Sequence, residues 1–123
     1  MTLELLAQRL REDGGLLAEA VTEPRGAPVF PDGPRALAVE AIREGHLLHH
    51  GTPRVVATED RDLALLAGDR LYALGLAEFA AAGDLDGVRV MSEVIATAAA
   101  ALGDGDPPAA EAAWEQGIRR LAS

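Results

Sequence analysis

The chain of 123 residues has no cysteine. That removes disulfides, thiolate nucleophiles and cysteine-ligated zinc together. It has no lysine either, so all eleven basic residues are arginine, which reads as a compositional bias rather than a chemistry. Twenty acidic residues outnumber them and leave a net charge of −9. No basic patch is on offer to neutralise phosphates, which argues against nucleic acid. The same balance disfavours an anionic membrane surface. Aromatics are scarce at 3%, so a core must be built from Leu, Ala and Val, a mixture that favours helix over sheet. No apolar run approaches 18 residues, so no membrane span is expected. The N-terminus lacks a basic region followed by an apolar stretch. No secretion signal is expected from it, and a cytoplasmic location is the default. Only Ser92 and Ser123 are serines, neither in a nucleophile-elbow context, and no Gly-rich phosphate loop is present.

What the chain does have is helical periodicity. Its length suits one helical domain over residues 1–123. Asp60 to Gly83 reads as one long central helix. Leu63, Leu66, Ala67, Leu71, Leu74, Ala77 and Ala81 recur at helical spacing, and Leu65, Tyr72, Leu76 and Phe79 cover much of the rest. A helix apolar nearly all round is expected to be buried. Gly68 and Gly75 lie inside it, each costing about 1 kcal/mol against Ala. Close approach of another helix would offset that cost.

Around this element the sequence places a first helix over Leu3 to Glu12, capped by Thr2, and a shorter one over Leu16 to Thr22. Residues 23–35 hold four prolines and two glycines and read as an irregular loop, with Val29 and Phe30 able to pin it to a core. A helix over Ala36 to His50 follows, ended by Gly51 and Pro53, and then a short extended connector over Arg54 to Ala57. Thr58 or Asp60 caps the central helix and Gly83 stops it. Asp84 or Asp86 caps a helix running to Ala101. Residues 103–108 read as a linker before a last helix, Ala109 to Leu121, with Trp114, Ile118 and Leu121 as its stripe.

The most suggestive chemical cluster is His46, His49 and His50. Positions 46 and 50 share a helix face and could bind a divalent metal, with a third ligand from Glu40 or Glu59. No Glu lies between them as in the zinc-protease helix. Against that, His49 and His50 end a helix, where a cationic imidazole interacts well with the dipole. Asp84-Leu-Asp86-Gly87 and Gly103-Asp-Gly-Asp106 look like fragments of calcium loops but lack the remaining ligands, and they read as helix stop and start signals. Acids at Glu59, Asp60 and Asp62 suit a helix N-terminus.

Several short motifs in order resemble the trans-isoprenyl (polyprenyl) diphosphate synthases. Glu40 to His50 is similar to the family helix in which a Glu precedes Ser-Leu-Ile-His-Asp-Asp, with Glu40, Leu47-Leu48 and His49 at matching separations. Gly51-Thr52-Pro53 resembles the family's Arg-Arg-Gly-x-Pro. Leu66-Ala67-Gly68-Asp69-Arg70-Leu71 resembles its Leu-Ala-Gly-Asp-x-Leu. The resemblance covers roughly residues 36–102. His50 stands where the aspartate-rich motif would begin, and about ten residues carrying that motif and the paired arginines look cut out. The family's Gly-Gly-Lys-Arg diphosphate-binding segment has no counterpart.

The resemblance therefore implies an all-α bundle like the N-terminal half of the isoprenoid synthase fold, with no catalytic residue, no cofactor and no metal carried over. It also implies a role through association. In the family the two long helices form the subunit interface, which places Leu63, Leu66, Leu71, Leu74, Gly75, Phe79 and Met91 at one. Some members are small non-catalytic subunits that support a catalytic synthase and help set product chain length. The expectation is such a subunit, as a heterodimer with a prenyl diphosphate synthase or as a homodimer. Two alternatives stay open: a homo-oligomer that binds an apolar isoprenoid-like ligand, and a His-based metal-binding protein.

Overall fold

The computed structural model describes every residue from Met1 to Ser123. It is all-helical: α1 Thr2–Asp13, α2 Gly15–Glu19, α3 Ala36–His50, α4 Arg61–Ala81, α5 Leu85–Gly103 and α6 Pro107–Ala122. The only extended pairing is a single antiparallel bridge between Val21 and Val56. No helix is long and apolar enough to cross a membrane.

The architecture is organised on α3. Ten of its fifteen residues are buried, and it stands between two apolar clusters. On one side Leu3, Leu6 and Leu10 of α1 meet Ala41 and Leu48 of α3 and Ala67 and Leu71 of α4. On the other, Val39 and Ile42 of α3 meet Phe79, the α5 residues Val90, Met91 and Val94, and Trp114 and Leu121 of α6. Phe30 anchors the irregular loop into this second cluster, as its position among the prolines suggests.

The long helix α4 runs antiparallel to α3 with glycine on both sides of the contact. A Cβ built on Gly75 would lie 2.6 Å from the Ala38 carbonyl oxygen and 2.5 Å from Ile42. One built on Gly45 would lie 2.7 Å from the Gly68 carbonyl oxygen. The backbones thus approach with no side-chain layer between them, which answers why two glycines are tolerated inside α4. The close neighbour is α3 of the same chain.

The caps follow from local chemistry. Asp60 starts α4 by accepting from the N–H groups of Asp62 and Leu63, while Thr58 accepts from the Asp60 N–H. Gly83, at φ 69°, closes α4 with the Asp84 N–H donating to the Phe79 carbonyl and its own N–H to that of Ala80. Gly105 ends α5 the same way, its bonds running from Asp106 to Ala101 and from Gly105 to Leu102. Asp84 and Asp106 cap the helices that follow.

Two expectations need correction. Residues 103–108 form a tight turn rather than a linker: Pro107 and Pro108 occupy the first turn of α6, where a missing N–H costs nothing. Thr2 lies inside α1 and does not cap it; its hydroxyl donates to Asp32, tying α1 to the proline-rich loop.

Candidate functional site

The densest polar arrangement is buried beneath that loop. Glu40 and Glu44, one turn apart on α3, are both fully buried, with Arg54 at 6% exposure between them. The Arg54 guanidinium donates to Glu40 Oε1 at 2.6 Å and to Glu44 Oε1 at 3.2 Å. It also donates to the carbonyls of Ala27 and Glu40. The second oxygen of Glu40 accepts from the N–H groups of Val29 and Phe30. The second oxygen of Glu44 accepts from those of Arg54, Val55 and Val56 at 2.8–3.1 Å. Two irregular segments, which have no ladder to satisfy their backbone, take their acceptors from α3 instead. Every carboxylate oxygen in the group is already engaged by protein donors. This network was missed in the sequence. Its trace there is a pair of acids at i, i+4 on an apolar helix face, followed by an arginine in an otherwise apolar connector.

The histidines end α3 on its α4 and α6 sides. His46 is 6% exposed and lies against Trp114, with ring centroids 5.3 Å apart, and against His50 at 5.2 Å. Burial, with the charge of Arg43 adding to it, lowers the His46 pKa to about 4, so the ring is neutral at pH 7. His50 is lowered as well, by burial and then by His49. His49 turns the other way. Its Nε2 donates to the Leu65 carbonyl at 2.9 Å, across α4 at Gly68, where a Cβ would collide with the imidazole. Tyr72 packs edge-on to His49, and burial raises its phenol to about 12, with Asp69 adding to the shift. No three groups of the His, Asp or Glu type surround a common point. Glu40, offered by the sequence as a third ligand, is turned to Arg54 instead, and Glu59 is exposed.

The α4 surface divides sharply. Leu71, Gly75 and Phe79 are buried in the chain's own core, as is Met91 of α5, so these four candidate interface residues face inward. Leu63 and Leu74 are half-buried. Leu66 is 69% exposed and Leu65 42% exposed. Ala73, Ala77 and Ala80 form a smooth outward stripe, separated from Leu66 by the turn that carries the exposed Asp69 and Arg70. The expectation of a helix buried all round is corrected here: one face packs on α3, and the open one carries Leu65, Leu66 and charged side chains in its first half and small alanines in its second.

The α5–α6 pair is fastened to the rest by Arg35. Its guanidinium donates to both carboxylate oxygens of Asp84, at 2.7 and 3.0 Å, and to the Leu121 carbonyl. The hydrogen bonds from Arg35 hold the Asp84 carboxyl below its ordinary range, and the Gly87 N–H adds to this. Compared with known proteins, the chain matches no family model, no curated protein and no solved structure.

Proposed function

We propose that the chain is a non-catalytic, prenyl-synthase-like subunit that acts by associating with a catalytic polyprenyl diphosphate synthase and influencing the chain length of its product. One observation carries this reading. The residues that bear the resemblance converge on the antiparallel α3–α4 pair, and there the acids of α3 serve structure. Magnesium-bound diphosphate needs carboxylate oxygens free to coordinate. Both carboxylates of α3 are saturated by Arg54 and by backbone N–H groups. Next to them, Gly51 follows His50 directly where acidic ligands would stand.

The outward stripe of α4 is the surface this reading uses. Leu65 and Leu66 project near the N-terminal end of α4, and beyond Asp69 and Arg70 the small Ala73, Ala77 and Ala80 leave room for a partner helix to approach closely. The exposure of Leu65 and Leu66 fits a second copy of this chain as well as a synthase, which keeps the homo-oligomeric, apolar-ligand reading as the alternative.

The deciding experiment co-expresses the protein with a polyprenyl diphosphate synthase encoded in the same genome. Co-purification at fixed stoichiometry, with a shift in product length on addition of the subunit, is the expected outcome. A stable monomer that neither binds the synthase nor alters its products would refute the proposal. A homodimer indifferent to the synthase would favour the alternative.

A further inference from the structure

A second site lies on the opposite side of α3 from α4. Arg43 of α3 stacks its guanidinium over the Trp114 ring of α6, 5.0 Å from the centroid. The two line a groove of about 510 Å³, walled by Val29 and Ile118 and lipped by Glu111 and Arg119. That volume is in the range of small-molecule sites. Two donors among its lining residues are anomalous. Arg43 Nε and the Trp114 indole N–H are both buried, and neither has an acceptor. Trp114 is 1% exposed, so water does not supply one freely. Buried donors of this kind are rare, because each forfeits a hydrogen bond it had in water.

The Arg43 ion pair is also incomplete. Both terminal nitrogens reach a single oxygen of Glu111 at 3.4 Å, and that carboxylate is 54% exposed. So long a contact to so exposed a partner holds weakly. Apolar walls beside a cation whose ion pair is long and exposed leave Arg43 open to a better carboxylate partner than Glu111.

We infer that this groove binds a small apolar monocarboxylic acid, its tail on Val29, Trp114 and Ile118 and its carboxylate on Arg43 in place of Glu111. Arginine also takes a carboxylate end-on through its two terminal nitrogens, and these are the two that share a single oxygen of Glu111 here. Glu111 swings into solvent at little cost because more than half of it is there already.

The protein supplies its own reporter, since Trp114 is the only tryptophan. Octanoate is titrated while indole fluorescence is followed, with calorimetry alongside; 1-octanol and inorganic phosphate serve as controls. Saturable binding of octanoate, with neither control matching it, is expected. Arg43→Gln should weaken binding about tenfold or more, through loss of a charge-assisted hydrogen bond. Glu111→Gln, at an exposed position that leaves the fold intact, should tighten it by removing the competing carboxylate. A purely structural role for Glu111 would not produce that gain. Octanol binding as well as octanoate, Glu111→Gln leaving affinity unchanged or lower, or no saturable signal by either method would overturn the inference.

Discussion

Replacing Glu44 by leucine tests the buried network most severely. The change strands the backbone N–H groups of Arg54, Val55 and Val56 and the Arg54 Nε, four donors that share one carboxylate. Each stranded donor costs roughly 1–3 kcal/mol. The buried leucine returns roughly 2 kcal/mol of apolar transfer. The net loss should be about 2–10 kcal/mol, a range that contains the 3–5 kcal/mol typical of a broken buried ion pair. A small domain holds only about 5–15 kcal/mol in total, so the variant should be near its unfolding threshold. Glu44→Gln is milder. Its carbonyl oxygen can keep the backbone donors while the amide NH₂ confronts Arg54, which loses one charge-assisted bond, about 1.5–3 kcal/mol. Urea unfolding followed by circular dichroism gives both numbers. Hydrogen exchange adds a local readout, since the Val55 and Val56 amides should lose protection first. A leucine variant within about 1 kcal/mol of the parent, or a glutamine variant less stable than the leucine one, would refute this account of the network.

Three other perturbations have definite outcomes. Gly75→Leu drives a side chain into the Ala38 carbonyl and Ile42, so it should cost about 1–3 kcal/mol or more in a thermal melt, through the α3–α4 contact inside the chain rather than through association. His46 is held neutral in the fold, whereas the unfolded chain takes up its proton below the ordinary 6.5. Its contribution is therefore complete above pH 6.5 and lost as pH falls toward 4, by up to about 3 kcal/mol; His46→Phe should flatten the stability difference between pH 7 and pH 4.5 in urea titrations. Leu66→Asp changes an exposed position, so stability should move by less than about 0.5 kcal/mol while sedimentation shows association weakened.

The helices were legible because their signals are local. Asp60, Gly83, Asp84 and Asp106 mark boundaries through their own side chains or their own φ, and the structure places caps or stops at each. The inward stripes of α1 and α6 were equally plain from leucine spacing and from Trp114, Ile118 and Leu121. The orientation of α4 was not legible. Alanine counts as apolar in a periodicity argument yet is content in water, so Ala77 and Ala81, together with the exposed Leu65 and Leu66, disguised an open face as a buried one. The Arg54 network was hidden for the opposite reason: charged residues read as surface by default. Only the three-dimensional path of the loop shows that Val29, Phe30, Val55 and Val56 must borrow acceptors from Glu40 and Glu44.

The same network bears on the order in which the chain assembles. Glu44 and Arg54 are ten residues apart in sequence, Glu40 and Phe30 also ten, and the longest link, Arg54 to Ala27, spans twenty-seven. Closing loops this short costs about 1–2 kcal/mol less chain entropy than bringing α1 to α4, whose Arg9–Glu78 pair spans sixty-nine. The segment from Ala27 to Val56 is thus able to close on itself early, its charges pairing while water still has access and before the apolar clusters seal over them. On this hypothesis Glu44→Gln acts on the refolding rate, whereas removing the Arg9–Glu78 pair acts on the unfolding rate alone. Stopped-flow chevrons separate the two, and an unchanged refolding limb for Glu44→Gln would place the network's formation late.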